Sequence, residues 1–459
     1  MEYADTLCEA HGKPGYRENM ESDPMVSGRI LGEIIVRKLV DYTLNTDDLV
    51  GVGTDNCPKM TGVLNGAVTA IQEVCKNAVR NACRSHLLDL ALGSTSKVNE
   101  IRNAIATMKQ VAEYFHHSSK RSYVLKENNR ASILNLCETR WIQKIDAVCQ
   151  FVDMYQDVCH ALHNISTTWR DAESCSKAFS LLKNIQSPEF IIGINCLAAI
   201  SSLFGPCARL FQKVDISVPE ATQYSNDLIA SIQKIRDNIE EKFSEIFELS
   251  NSMLESVDAE EIRLPRRCAK QTHRSNLPAA TPEEYFRRTI YIPLVDQVLD
   301  DLRRRMSVDN FKGILLFALI PVNFSQDENA LVDYISSFFP SCPKILISGE
   351  LTQWKQATKS IPRDQTKSVQ LLLKNCDKTV FPMISSCLQI LLTFVVSAAT
   401  AERSFSALRR LKTWLRNRMS ENRLTGLALL HVHRSIKISV DRVITRFANM
   451  CNRKLNFVI

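Results

Sequence analysis

Four short patterns contain residue types that could contact a metal ion or a nucleic acid. An acidic residue, Asp55, directly follows a short run of small and β-favouring residues. The other three patterns are Cys83 with His86, Arg140 with Trp141, and Glu402 within Ala401–Ser406. Each pattern alone is weak, because each also has an ordinary structural explanation.

Those explanations differ from one pattern to the next. Asp55 could cap a helix, although ligands of α/β folds also bind at the carboxyl ends of parallel strands. Cys83 and His86 supply half of a zinc site, and no second pair stands at zinc-finger spacing. The Arg-Trp pair alone would be a surface cation beside a core indole, and Glu402 alone would be a solvated glutamate on a helix.

The elements around Asp55 and Cys83 form a predicted parallel α/β unit over roughly the first 130 residues. Residues 1–27 are polar and poorly specified. The hydrophobic pattern predicts helix over 28–44, a buried strand over 49–55, helix over 61–75 and a second strand over 79–83. An amphipathic helix to about residue 125 follows, and this alternating order favours parallel strands.

From Trp141 onward the apolar residues repeat at helical spacing, and helices are predicted to about residue 375. A basic, proline-punctuated stretch over 258–283 interrupts them and is predicted to be an exposed loop. A helix is then predicted to begin at Thr281-Pro282. The last predicted helices run over 397–415, with an apolar stripe, and from a cap at Ser420.

Composition restricts the class of protein. The net charge of +7 comes from 57 basic and 50 acidic residues, an excess that permits a nucleic-acid partner without requiring one. The 15 cysteines contain no Cys-x-x-Cys pair and predict buried, reduced thiols. The amino terminus has no apolar signal core, and the apolar run Cys387–Val396 is too short to span a bilayer. We therefore expect no membrane partner.

Together and in this order, the four patterns resemble the hAT transposase family. The most specific part is Ala399–Ser406, which continues through Leu408 and Leu424 to Leu427–Leu430 and resembles the family's dimerisation signature. The segments Gln271–Asn276 and Pro282–Tyr285 resemble the zinc-finger MYM-type and THAP-derived branch. The resemblance extends over about residues 28–435.

This resemblance implies a fold that is mostly α overall, with an α/β part. An RNase H-like core of parallel strands and helices is interrupted by a large helical insertion. The implied domains are a partial core over 28–138, the helical insertion over 139–378, the return to the core with the dimerisation region over 379–440, and a tail over 441–459. A nuclear location is also expected.

The resemblance also gives individual residues roles. Asp55 would be the second metal-binding carboxylate and Glu402 the third, holding Mg²⁺ or Mn²⁺ in an active enzyme. Cys83 and His86 would lie near the cut site. Arg140 and Trp141 would lie against DNA. The residues implied in dimerisation are Phe405, Leu408, Leu411, Leu424 and Leu427. Separately from the resemblance, Arg403, Arg409 and Arg410 form a basic helix surface that could bind DNA or could be only a solvated cationic face.

The sequence departs from the family at the first carboxylate, which should stand on a strand upstream of the helix over 28–44. Two carboxylates cannot hold a two-metal site with the usual geometry. We therefore expect the chain to be truncated at its amino terminus relative to the family, and catalytically inactive.

Three functions are then open. The favoured one is an interaction protein that forms a homodimer or higher oligomer through its C-terminal helices. One alternative is a DNA transposase or nuclease that uses divalent metals, and the other is a DNA-binding regulator without catalysis. Against dimerisation stands the simpler reading that the apolar stripe packs only inside its own chain.

Overall fold

The computed structural model describes residues 27–128, 132–134, 141–213, 216–266, 275–306, 312–324, 327–362, 365–366, 368–413 and 418–449. The chain divides into two compact units. The large unit comprises Asp47–Thr61 and Cys75–Ala398, and the small unit comprises Met1–Thr46, Gly62–Val74 and Ala399–Ile459.

Helices make up most of the described residues. In chain order the α-helices are α1 (Gly28–Asp41), α2 (Pro58–Thr61), α3 (Ala67–Val74), α4 (Arg84–Gly93), α5 (Asn99–His116), α6 (Ser119–Asn128), α7 (Trp141–Asp153), α8 (Tyr155–Thr168), α9 (Ala172–Ile185), α10 (Pro188–Leu210), α11 (Val218–Asp237), α12 (Ile239–Glu255), α13 (Pro282–Phe286), α14 (Ile292–Met306), α15 (Glu328–Phe338), α16 (Lys344–Ala357), α17 (Val369–Asn375), α18 (Pro382–Thr393), α19 (Ala399–Leu411), α20 (Glu421–Val432) and α21 (Val440–Asn449). A π-helical turn, Arg287–Tyr291, joins α13 to α14. Short 3₁₀ helices are Thr46–Asp48, Ser94–Lys97, Lys312–Leu319, Pro321–Asn323 and Thr358–Ser360.

The large unit contains two parallel strands, β1 (Gly51–Thr54) and β2 (Val79–Ala82). Gly51 lies opposite Val79, and Thr54 lies opposite Ala82. Beyond the strands, the Cys83 amide donates to the Thr54 carbonyl at 2.8 Å. The predicted mostly helical fold with a parallel strand pair is therefore confirmed, whereas the RNase H-like core stays a prediction.

Helix α10 is central to the core of the large unit. It begins at Pro188 because the Ser187 side chain accepts a hydrogen bond from the Phe190 amide at 3.3 Å. By length and composition alone α10 could cross a membrane, and 72% of its most apolar window is buried inside the protein. A helix that is apolar on every side is typical of a protein core. Among the described residues, α10 is therefore a longer apolar stretch than Cys387–Val396.

After α18 the chain returns to β1. A Cβ atom placed on Gly51 would stand 3.1 Å from the Phe394 ring, and one on Gly53 would stand 2.8 Å from Val395. The two glycines are two residues apart, so they face the same side of the strand. Their missing side chains make room for residues 394–398, which we call the return segment.

In the small unit, α1 and α3 pack closely. A Cβ on Gly32 would stand 2.4 Å from the Ala67 carbonyl oxygen, so only glycine allows this approach. Both terminal nitrogens of Arg29 donate to the Glu73 carboxylate, at 3.1 and 2.7 Å. Helices α19 and α20 contact each other in the same unit.

The predicted helix starts can be compared with the observed caps. Helix α13 begins at Pro282, and the Thr281 hydroxyl accepts from the Glu284 amide at 3.1 Å, which confirms that start. Ser420 occupies the cap position of α20 without a side-chain capping bond. In the predicted basic loop, residues 275–280 are not helical, and residues 267–274 lie outside the described residues.

Candidate functional site

Asp55 follows β1 as predicted, and it is partly exposed. Its Oδ1 accepts a hydrogen bond from the Cys57 amide at 3.2 Å, which closes a local turn. Burial lowers the pKa of Arg80, and the Asp55 charge opposes that shift. In the described structure, Asp55 therefore supports a turn and compensates a neighbouring cation.

Cys83 connects the end of β2 to the return segment. Its side chain is buried, and its sulfur accepts a hydrogen bond from the Ala398 amide, 315 positions away, at 3.2 Å. The Ser85 hydroxyl lies 3.2 Å from the Ser397 hydroxyl, and the Arg84 amide donates to the Val396 carbonyl at 2.8 Å. These bonds give Cys83 a structural role.

His86 lies partly buried on α4. It is three residues after Cys83, so the two side chains lie near the start of the same helix. Among the described residues, no group of three His, Cys, Asp or Glu side chains could hold a metal ion. A role for His86 near a cut site stays a prediction.

Glu402 is exposed in the first turn of α19. It belongs to the small unit, whereas Asp55 belongs to the large unit. A shared site for Mg²⁺ or Mn²⁺ therefore stays a prediction. Two of the residues predicted to bind DNA, Arg409 and Arg410, are exposed in the last turn of α19, and Arg403 is exposed beside Glu402.

The side chains of Arg140 and Trp141 are not among those that the structure describes. Arg140 lies outside the described residues, and Trp141 is the first residue of α7, with its side chain outside them as well. Contact of this pair with DNA stays a prediction.

The predicted dimerisation residues differ in exposure. Phe405 is 39% exposed, whereas Leu408, Leu411 and Leu427 are partly buried. Leu424 is only 4% exposed, so its side chain packs within the single chain and leaves little surface for a partner. The others keep apolar area on the outside of α19 and α20.

Other exposed apolar side chains follow in the C-terminal region, and they are not among the predicted dimerisation residues. In α21 the apolar residues stand at positions 440, 443, 444 and 447, the spacing of one helix face. No residue of α21 is buried. We call the following residues the exposed terminal set: Leu429, Leu430, Val432, Ile436, Ile438, Val440, Val443, Ile444 and Phe447. The prediction of a tail over 441–459 is therefore wrong up to Asn449, because the apolar residues there have helical spacing and form α21.

Comparison with known families identifies part of this C-terminal region. Residues 350–436 match the hAT family C-terminal dimerisation region, so the chain carries this region and the predicted resemblance is confirmed. Over most of its length the chain is also similar to two curated proteins, both called "52 kDa repressor of the inhibitor of the protein kinase". The human protein is 25% identical over 403 residues, which are 82% of this chain and 52% of the relative. The mouse protein is 24% identical over 402 residues, with the same coverage. The chain thus spans about half the length of these relatives.

Proposed function

We propose that the chain is a hAT-derived protein that acts by forming a homodimer through its C-terminal helices and does not cleave DNA. The observation that carries the proposal is the exposed terminal set, whose nine members are 42–68% exposed in the single chain. Monomeric proteins rarely expose large contiguous apolar patches, and such patches typically mark interaction surfaces. Four members of the set, Leu429, Leu430, Val432 and Ile436, fall inside the segment that matches the dimerisation region.

Helix α21 carries a further exposed apolar face beyond the matched segment. Its apolar face and its polar face, which carries Arg442 and Arg446, are both solvent-exposed in one chain. A helix with these two faces gains free energy by burying the apolar one against another helix. We propose that the partner is the same segment of a second copy, since dimers of identical chains commonly use self-complementary patches.

Size-exclusion chromatography with light scattering tests this proposal. At micromolar concentration the chain should elute at about twice its mass of 52.0 kDa. Leu430→Arg and Val443→Arg should each shift the equilibrium toward monomer, because a buried unpaired charge opposes association. The matched control is Ile345→Arg, a residue 80% exposed and outside the matched segment, and it should leave the dimer intact. A wild-type monomer would contradict the proposal, as would dissociation by the control alone.

We further propose that β1, β2 and the return segment belong to an RNase H-like core that a helical insertion interrupts. Two observations support this. The strands are parallel, and the chain comes back to them only after the helices of the large unit, where Val395 lies against Gly53. An experimental structure in which 394–398 lie away from β1 would contradict this proposal.

A metal-dependent transposase or nuclease is the second candidate, and it would need Asp55 and Glu402 to act together. The local role of Asp55 in the Cys57 turn supports the non-catalytic proposal. The test is cleavage of terminal-repeat DNA with Mg²⁺ or Mn²⁺. We expect no cleavage, and activity that disappears in Glu402→Gln would establish the enzyme instead.

A DNA-binding regulator is the third candidate, favoured by the exposed arginines of α19. The names of both relatives describe a repressor of an inhibitor, which agrees with a regulatory role. If this surface binds phosphates, affinity for duplex DNA should fall steeply with salt. Arg409→Gln with Arg410→Gln should then weaken binding, whereas Arg102→Gln, on the exposed side of α5, should not. A nuclear location, proposed with this role, can be tested by imaging a tagged chain.

A further inference from the structure

A small cavity opens in the large unit beside the carboxyl ends of β1 and β2. Its volume is about 290 Å³, at the lower end of the range for small-molecule sites. Ligands of parallel sheets commonly bind at this end of the strands. The lining residues used below are Asn56, Arg80, Asn81, Arg84, Arg304 and Arg305.

Four arginines from three parts of the chain line this cavity. Arg80 lies on β2, Arg84 begins α4, and Arg304 and Arg305 lie in the last turn of α14. No acidic residue is among the lining residues. Within the described structure, the cavity is therefore a concentration of positive charge and hydrogen-bond donors.

Existing contacts hold the arginines in place. Arg80 Nη2 donates to Asn56 Oδ1 at 2.5 Å, and Arg84 Nη1 donates to the Met306 carbonyl at 3.1 Å. Arg304 and Arg305 both pair with the buried carboxylate of Asp301. These partners orient the guanidinium groups, so the side chains lose less conformational entropy when a ligand binds.

Three donors around the cavity lack a hydrogen-bond partner among the described residues. They are Arg80 Nε, Arg305 Nε and Asn81 Nδ2, all of them buried atoms. Asn81 is itself only 6% exposed. Leaving a buried donor unpaired carries a free-energy cost, so three in one cavity indicate a missing acceptor.

The local electrostatics agree with this reading. Burial lowers the pKa of Arg84 to about 10 and also lowers that of Arg80. The carboxylates that face these cations are Asp301 behind Arg304 and Arg305, and Asp55 near Arg80. Two carboxylates against four guanidinium groups leave an excess of positive charge.

We propose that this cavity binds a tetrahedral oxyanion, namely a phosphate or diphosphate group. Guanidinium groups and phosphate oxygens match in geometry, and their charge-assisted hydrogen bonds are stronger than neutral ones. A phosphate group fits the volume, and its oxygens are the kind of acceptor that the unpaired donors lack. This site is independent of the proposed dimerisation, because its lining lies wholly in the large unit.

Isothermal titration calorimetry of the full chain with sodium pyrophosphate, at constant ionic strength, tests the site. We expect saturable binding that weakens about tenfold or more in Arg80→Gln and in Arg305→Gln, since each removes a charge-assisted donor. The matched control is Arg303→Gln, on the same helix turn as Arg304 but hydrogen-bonded to Gln233 and outside the lining. Circular dichroism checks that each variant is folded. Asn81→Leu, which is uncharged before and after, provides a second variant and should also weaken binding.

A competition experiment separates the sources of the phosphate group. A DNA duplex without terminal phosphates that displaces pyrophosphate would place a backbone phosphate in the cavity. A duplex that does not displace it would leave a small phosphorylated molecule as the ligand. Both results support the site. Absence of saturable binding, or equal loss in Arg303→Gln and Arg305→Gln, would overturn it.

Discussion

Replacing Gly53 by alanine tests the contact between β1 and the return segment. The added Cβ would lie 2.8 Å from two carbons of Val395, whereas carbon atoms pack at about 3.5–4.0 Å. Overpacking of this kind costs about 1–3 kcal/mol. The reduced freedom of the unfolded chain returns about 0.4–1 kcal/mol. The midpoints of these two ranges leave a net loss of about 1.3 kcal/mol in the free energy of unfolding.

The rescue variant makes the test specific. Val395→Ala removes both methyl groups but keeps the Cβ, so it should relieve the collision in part. In a double-mutant cycle, Gly53→Ala and Val395→Ala should couple favourably by about 1 kcal/mol. Gly349→Ala is the control, since a Cβ there has no atom within 4 Å, and in the interior of α16 it should stabilise by about 0.5–1 kcal/mol.

Urea unfolding followed by tryptophan fluorescence measures these effects. Trp354 is buried, and its indole nitrogen donates to the Leu319 carbonyl at 2.9 Å, so it reports on the large unit. Wild-type stability in Gly53→Ala would refute the packing argument. Strict additivity of the two substitutions would refute the assignment of Val395 as the colliding group.

Three further predictions concern other parts of the chain. Burial raises the pKa of Asp301, but hydrogen bonds from Arg304 and Ser94 and nearby cations outweigh it, so the pKa is below normal. The stability that Asp301 contributes should be complete above its unfolded pKa of about 3.9 and be lost as pH falls through the lower folded value. The urea midpoints at pH 7 and pH 3 should therefore differ less in Asp301→Asn than in the wild-type chain. Burial raises the pKa of Cys387 to about 12. Iodoacetamide at pH 8 should therefore modify the partly exposed Cys342 before the buried Cys387, and equal labelling of these two cysteines by mass spectrometry would contradict this. Thr281→Ala should cost about 1 kcal/mol because a capping bond is lost, whereas Ser420→Ala, where that bond is absent, should change the unfolding midpoint little.

Local features of the fold could be predicted from the sequence. The strand before Asp55 and the helix start at Thr281-Pro282 depend on neighbouring residues, through β-favouring side chains and a capping hydroxyl. Parallel pairing of β1 and β2 followed from the helix that separates them in sequence.

Features that depend on distant contacts could not be predicted in the same way. Cys83 looked like half a zinc site, yet its sulfur meets the Ala398 amide, a contact that no local spacing encodes. The arginine cavity draws on residues more than 200 positions apart, as the Arg84–Met306 bond shows. For the candidate dimer surface, the motif predicts α19 and α20, whereas α21 lies beyond the matched segment and its exposure depends on how the whole chain packs.

The return segment also affects how the chain is made. About 340 residues separate Thr54 from Phe394, and ribosomes add roughly 5–20 residues per second, a delay on the order of tens of seconds. Throughout that time Gly51 and Gly53 of β1 have been synthesised, but the return segment that packs against them has not. A nascent chain in this state presents an uncovered strand, which is a target for chaperones and a starting point for aggregation. Translation that stops before residue 394 would leave every copy in that condition.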